Sequence, residues 1–208
     1  MPSFYQLKPA FQRLLRPLVR RLAQADVTAN QVTIVAMLLS IALGGFLALE
    51  PNNRALLWLV PLVLFIRMAL NAIDGMLARE HNQQTRLGAF LNELGDVVAD
   101  AAIYLGIAMV LVPIALATPL TVIIVVLASL SEMTGVLAQA LTGVRGYAGP
   151  MGKSDRAFCF GALGLLLAVG IAPGLWVTAL LALVAALTAT TIVNRVRFAL
   201  RHPSQKSP

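Results

Sequence analysis

The sequence predicts an all-α integral membrane protein, with six transmembrane helices and an N-terminal amphipathic helix at the membrane interface. Three observations carry this. Of the 208 residues, 59% are hydrophobic and only 12% charged, about half the charged fraction of an ordinary soluble domain. The apolar residues come in long blocks, several of them sufficient to cross a hydrocarbon core of ~30 Å. The net charge of +7 collects at the ends of those blocks, which suits the anionic inner face of a membrane and not nucleic acid.

Residues 1–27 are read as an amphipathic juxtamembrane segment. They hold Lys8, Arg13, Arg16, Arg20 and Arg21 without a long apolar core, which argues against a cleaved signal peptide. Phe11, Leu14, Leu15, Leu18 and Leu22 recur at helical spacing, with the arginines largely on other faces. Pro9 and Pro17 are expected to bend or interrupt this helix. Thr28 is placed to cap a first span over 29–49. Glu50-Pro51-Asn52-Asn53 then turns the chain. The second span is expected over 55–79, roughly 37 Å of helix at ~1.5 Å per residue. A polar loop over 80–87 leads into a third span over 88–112, and 113–119 turns again. The fourth span, 120–141, contains Glu132; a polar loop follows, then a fifth span over 157–171 and a sixth over 175–193. Residues 28–200 thus form one six-helix transmembrane domain, and 201–208 a basic C-terminal tail. With the N-terminus inside, cytoplasmic segments carry 14 of the 16 Lys and Arg; Arg54 alone falls in an outer loop, and Arg67 lies within a span. Both termini are therefore expected in the cytoplasm.

The chemistry is concentrated between residues 67 and 100. Residues 67, 71, 74, 75, 78 and 79 have offsets of 0, 4, 7, 8, 11 and 12, so Arg67, Asn71, Asp74 and Arg79 share one helical stripe with Gly75 and Ala78 between them. Residues 88, 92, 95, 96, 99 and 100 repeat the offsets and align Gly88, Asn92, Gly95, Asp96 and Asp100. A short loop makes the two helices antiparallel neighbours, with their polar stripes facing near the cytoplasmic edge. A carboxylate in lipid is costly and usually faces a cavity. Oxygen ligands from Asp and Asn suit a hard cation such as Mg²⁺, Mn²⁺ or Ca²⁺. The alternative reading is a polar network that holds the bundle together.

These residues carry a resemblance. Asn71-x-x-Asp74-Gly75-x-x-Ala78-Arg79, eight residues, then Gly88-x-x-x-Asn92-x-x-x-Asp96 resembles the signature of the CDP-alcohol phosphotransferase (CDP-alcohol phosphatidyltransferase) family, DxxDGxxAR followed by GxxxDxxxD. The likeness extends over the whole chain and looks nearest to a bacterial inner-membrane branch. It implies transfer of a phosphatidyl or other substituted phosphoryl group from a CDP-linked lipid, by default CDP-diacylglycerol, to a small alcohol acceptor, with release of CMP. It makes 28–200 the catalytic domain and implies Mg²⁺ or Mn²⁺ held by Asn71, Asp74, Asn92 and Asp96. Asp96 would also be the general base. Gly75, Ala78, Arg79 and Gly88 would line the nucleotide and diphosphate pocket. Thr28-Ala29-Asn30 resembles the family's Thr-Pro-Asn element and would bring Asn30 and Thr33 near the nucleotide; a plain helix cap is the compatible alternative. A homodimer in the bacterial inner membrane is also implied.

Two of the four motif acids are amides here, Asn71 and Asn92. The four positions carry −2 in place of −4, and Arg67 adds a positive charge one turn away. The expectation is one metal ion, with Arg67 contacting phosphate in place of a second. Asp100 is the better compensating ligand and Glu93, about 100° off the stripe, the poorer one.

Gly152-Lys153-Ser154-Asp155-Arg156 opens the fifth span. A basic, Gly-containing loop at a helix N-terminus suits an anion, and it resembles the family's Gly-Lys loop. Lys153, Arg156 and Arg145 are the candidates for binding the acceptor or a phosphate, which leans the acceptor toward an anionic one. Positive-inside residues without a ligand are the alternative. Glu132 is expected to pair with a basic group such as Arg67 or to approach the pocket. His81 and His202 read as solvated residues, and Cys159 as a small buried hydrophobe. Two other classes compete with a transferase: a non-catalytic CDP-lipid binding or assembly protein, and a small transporter. The transporter lacks inverted-repeat evidence.

Overall fold

The computed structural model describes residues 4–201, with side chains from residue 9 onward. Among them every regular element is helical: α1 (Phe4–Gln24), α2 (Ala29–Leu49), a 3₁₀ turn (Arg54–Trp58), α3 (Leu59–Glu80), α4 (Arg86–Val110), α5 (Ala117–Thr142), α6 (Lys153–Ala168) and α7 (Leu175–Arg201). The tail over 202–208, with His202 and Lys206, lies outside the described residues.

The helix ends follow local chemistry. Thr28 caps α2: its Oγ1 accepts from Gln31 N at 3.2 Å, and Gln31 Oε1 accepts from Thr28 N at 2.9 Å, a reciprocal capping box. Thr85 caps α4 by accepting from Gly88 N at 2.9 Å, so that helix begins two residues before the expected 88. Asp155 Oδ2 accepts from Gly152 N at 2.9 Å, and α6 begins at Lys153, four residues early. Asp26 and Asn82 turn the chain in the left-handed region, at φ 55° and 54°, after α1 and α3. Short polar side chains tolerate that conformation. The expected second span starts as a 3₁₀ turn because Pro61, within the first turn of α3, has no N–H to give the carbonyl of Leu57.

Four stretches are long and apolar enough to cross a membrane: Ala29–Leu49, Arg54–Glu80, Ala117–Thr142 and Leu175–Arg201. The other two expected spans differ for physical reasons. α4 carries Arg86, Glu93, Asp96 and Asp100, too much charge for an unassisted span. α6 has 16 residues, roughly 24 Å of helix against a core of ~30 Å.

The chain divides into two compact units: Met1–Ala42 with Leu62–Ala99, and Leu43–Pro61 with Asp100–Pro208. In the first, Val19, Ala29, Val32, Ile73, Met76 and Leu77 form a buried cluster, joined by Leu15 and Leu22. The expected apolar stripe of α1 is therefore split: Leu15, Val19 and Leu22 pack inward, whereas Leu14 and Leu18 stay exposed. α1 runs through Pro9 and Pro17 without interruption. Phe11 meets Phe65 edge to face at 6.3 Å, and Arg16 Nη2 lies 2.9 Å from Glu80 Oε1.

The second unit is built on α5 and α7. The buried residues of α5 are Ala117, Thr121, Ile124, Ala128, Ser131, Gly135, Ala138 and Thr142. Those of α7 are Val177, Leu181, Val184, Thr188, Thr191 and Arg195. Both series alternate steps of four and three, the seven-residue pattern of a straight packing seam. Small residues dominate the α5 seam and bring the backbones close. Buried Ser and Thr return their hydroxyls to the preceding turn, as Thr121 does to the Ala117 carbonyl at 2.9 Å. α2 approaches α4 closely in this unit: a Cβ on Gly106 would lie 2.6 Å from the Gly44 carbonyl oxygen.

Candidate functional site

The polar stripes of α3 and α4 meet in the first unit. Arg67 is 3% exposed. Its Nη2 donates to the Asp96 backbone carbonyl at 3.1 Å and lies 3.4 Å from Asp96 Oδ1. One turn along α3, Asn71 Nδ2 donates to the same Asp96 Oδ1 at 3.1 Å. Asp96 thus accepts from a cation and an amide at once, while its side chain stays partly open, at 21% exposure. Where two aspartates would repel at positions 71 and 96, Asn71 and Asp96 form a hydrogen-bonded pair.

Asp74, on the next turn of α3, is buried, and its Oδ2 accepts from the Thr33 hydroxyl of α2 at 2.7 Å. A Cβ on Gly75 would meet Arg79 Nη2 at 3.0 Å, so the Arg79 guanidinium folds back over that glycine. A Cβ on Gly88 would come within 2.6 Å of Asn30 Oδ1; the absent side chain gives the Asn30 amide its place. Asn92 is half-buried on α4. Ala78 packs beside the Val19–Ile73–Leu77 cluster. Within this unit, then, Arg67 and Asn71 meet Asp96, Thr33 meets Asp74, Arg79 lies against Gly75 and Asn30 against Gly88.

The remaining candidates belong to the second unit. Arg156 is fully buried. Its Nη2 lies 3.5 Å from Asp100 Oδ2 and donates to Glu132 Oε1 at 3.2 Å, and its Nη1 donates to the Met151 carbonyl at 3.3 Å. Arg145 Nη2 is 3.5 Å from Glu132 Oε2, with its guanidinium 5.6 Å from the Tyr147 ring, a cation–π distance. Arg195 Nη1 donates to the Ser131 carbonyl and lies 3.6 Å from Glu132 Oε1. The basic partners of Glu132 are thus Arg145, Arg156 and Arg195, where the sequence suggested Arg67. Lys153 is half-buried in the first turn of α6. His81 is exposed and Cys159 half-buried.

Arg195, just beyond the expected sixth span over 175–193, is a residue that sequence reasoning did not single out. Its signal was present in the four-three spacing from Val177 to Arg195, which puts it on the inward seam of α7.

The donor set sets the metal capacity of the first unit. Among the described residues, no group of three or more His, Cys, Asp or Glu is placed to hold a metal ion. Asp74, Asp96, Asn71 and Asn92 offer hard oxygen donors, the chemistry that suits a divalent cation such as Mg²⁺ or Mn²⁺.

The profile of the CDP-alcohol phosphatidyltransferase family matches residues 26–196. The chain belongs to the CDP-alcohol phosphatidyltransferase family. It is 48% identical to inner membrane protein YnbA of Escherichia coli (strain K12) over 198 residues, covering 95% of this chain and 96% of that one. It is 32% identical to phosphatidylinositol phosphate synthase of Mycobacterium tuberculosis (strain ATCC 25618 / H37Rv) over 100 residues, 48% of this chain and 44% of that one. The fold matches the crystal structure of Mycobacterium tuberculosis phosphatidylinositol phosphate synthase (PgsA1) with CDP-DAG bound. There the TM-score is 0.75 at 23% identity, covering 94% of this chain and 98% of that one. The same enzyme in complex with manganese and citrate gives a TM-score of 0.74 at 24% identity, over 92% and 91% of the two chains.

Proposed function

We propose that this family member is a metal-dependent phosphatidyltransferase. It moves the phosphatidyl group of a CDP-linked lipid, CDP-diacylglycerol, to the hydroxyl of a small alcohol and releases CMP. The observation that carries this reading is the shared grip of Arg67 and Asn71 on Asp96, which joins the two halves of the family motif. The CDP-DAG bound by the structurally similar PgsA1 supports the choice of donor, and its manganese supports a divalent ion.

Asp74, with the side-chain oxygens of Asn71, Asn92 and Asp96, would hold one Mg²⁺ or Mn²⁺. Asp100 is a lesser candidate because it already faces Arg156. Such an ion would neutralise diphosphate charge and stabilise the leaving CMP. Thr33 orients the Asp74 carboxylate from α2. Asn30, Gly75, Ala78, Arg79 and Gly88 form the nucleotide and diphosphate wall, with Arg79 supplying positive charge. Arg67 fixes Asp96 and adds one positive charge to a site where two neutral amides in place of carboxylates already lessen the need for a second ion. Asp96 accepts the proton of the acceptor hydroxyl as its oxygen attacks the lipid-bearing phosphorus. The bond from that phosphorus to the CMP oxygen breaks, and CMP departs with the electron pair.

The same reading places the protein in a bacterial inner membrane as a homodimer. It assigns six membrane-embedded helices, α4 and α6 among them, with both termini and the site on the cytoplasmic side and α1 at the interface. Residues 28–200 serve as the catalytic domain. The test is metal-dependent CMP release from CDP-diacylglycerol over a panel of alcohols, run beside Asp96→Asn. Release that survives Asp96→Asn removes the base assignment. Saturable CDP-lipid binding without CMP release from any acceptor establishes the second reading, a non-catalytic CDP-lipid binding protein. That reading is favoured by the self-satisfied Asn71–Asp96 pair.

A further inference from the structure

The loop between α3 and α4 joins the two halves of the family motif. Most of it is exposed, but Gln83 within it is half-buried. Its backbone is tied to α3: Asn82 takes the left-handed conformation, φ 54°, and Gln83 N donates to the Ala78 carbonyl at 3.1 Å, a turn that closes a helix C-terminus. Its side chain is tied to the start of α2. Gln83 Oε1 accepts from Ala29 N at 2.7 Å, and its Nε2 donates to the Val27 carbonyl at 3.4 Å. One residue thus holds the end of α3 through its main chain and the start of α2 through its amide, all within the first unit.

The start of α2 needs that partner. The first N–H groups of a helix have no carbonyl within the helix to receive them. Thr28 and Gln31 satisfy each other's, and Ala29 N is a further one. Ala29 is 6% exposed, so its N–H has little water to turn to, and a buried donor without an acceptor is costly. Gln83 Oε1 is the acceptor. A proline at position 29 would need none, because it has no N–H and its φ suits the first position of a helix. Asn30 and Thr33 depend on where this helix starts. Thr33 donates to Asp74 Oδ2 at 2.7 Å, and Asn30 Oδ1 fills the space beside Gly88, 2.6 Å from where a Cβ would stand. Contacts this close leave α2 little room to slide along α3 and α4.

We propose that Gln83 is a positioning residue of the nucleotide site: by taking the Ala29 N–H it fixes the start of α2 to the end of α3, and so holds Asn30 beside Gly88 and Thr33 on Asp74. Gln83 acts through α2 and takes no part in the bond changes. This deepens the transferase reading and rests on it for the nucleotide, but the grip of Gln83 on Ala29 can be tested without turnover.

The experiment uses the full chain in detergent or nanodiscs with Mn²⁺. CMP is titrated calorimetrically into wild type, Gln83→Ala, Gln83→Glu and the double variant Ala29→Pro with Gln83→Ala, and thermal unfolding is followed for each. Gln83→Ala is expected to bind CMP about tenfold more weakly and to melt at least about 3 °C lower. In turnover its KM for CDP-diacylglycerol should rise by about the same factor, with kcat within about threefold of wild type. Ala29→Pro in that background removes the stranded N–H and has room for its ring, so CMP affinity should return to within about threefold of wild type and the melting temperature should recover by at least about half. Gln83→Glu keeps the acceptor oxygen and should stay within about threefold of wild type for CMP. Wild-type CMP affinity in Gln83→Ala overturns the proposal. So does a folded double variant that recovers neither property, or a loss in kcat with KM unchanged. If Gln83→Ala or the double variant does not fold, Gln83→Glu decides: a loss of CMP affinity beyond about threefold overturns the proposal. Wild type that shows no saturable CMP binding defeats the nucleotide reading. The melting temperatures then decide the grip on Ala29, which stands if Ala29→Pro restores what Gln83→Ala loses and falls if it does not.

Discussion

The two charge clusters of this protein use the same side-chain types to opposite ends. In the first unit, Arg67 faces Asp96 while Asp74 takes a neutral hydroxyl from Thr33, so one carboxylate meets a cation and the other a hydroxyl donor. In the second, three arginines face Glu132 and Asp100; net positive charge and buried N–H groups remain. The first keeps Asp96 partly open, whereas the second buries Arg156 completely. Which groups face each carboxylate, and how much of each is open, separates a candidate cation centre from a cluster that locks helices together.

The largest expected effect breaks the first cluster. Asp96→Asn should lower metal-dependent CMP release by about 10²–10⁴-fold, the range for removing a positioned acid or base. Asp74→Asn should weaken Mn²⁺ binding, followed by calorimetry, because it removes one of only two carboxylates from the donor set. Breaking the second cluster should show in stability. Arg156→Ala removes the cation that buried Asp100 shares with Glu132, which keeps Arg145 and Arg195, and should cost about 1–3 kcal/mol, read from thermal unfolding in detergent. An effect of similar size sharpens the contrast. Asn71→Asp places a second carboxylate against Asp96, so without metal the protein should lose about 1–3 kcal/mol, and millimolar Mn²⁺ should restore it. Unchanged metal dependence of the melting temperature would contradict the one-ion donor set. The smallest effect is at the surface: Arg16→Ala removes the pair with Glu80, whose side chains are 40% and 38% exposed. The melting temperature should not move measurably, because exposed ion pairs are solvated and screened.

Legibility in the sequence followed how local each signal was. The stripes of α3 and α4 were readable because helical geometry places residues 67, 71 and 74 on one side whatever the surroundings. Thr28 was readable as a cap because its partner is three residues away. Thr85 carried the same signal for α4, hidden by a loop that reads as uniformly polar. The α5–α7 seam was written in steps of four and three, but both helices are apolar nearly all round, and a membrane-embedded helix shows little contrast between its faces. The split of the α1 leucines needed α3 in place: Leu14 and Leu15 are equivalent by composition, and only the partner cluster around Ile73 and Leu77 chooses between them.

By itself the sequence determined the helical class, the membrane-length apolar blocks, the family motif and its two amide substitutions. These depend on residue type and on spacing within single helices. The tertiary structure alone decided the partners of the charges: that Arg67 and Asn71 converge on Asp96, and that Glu132 gathers Arg145, Arg156 and Arg195 from a loop and two other helices. Those residues are 13 to 63 positions from Glu132 in the chain. The physical reason is the range of the interaction: local spacing aligns a stripe, but a buried charge is matched by whichever opposite charge the packing brings within about 4 Å.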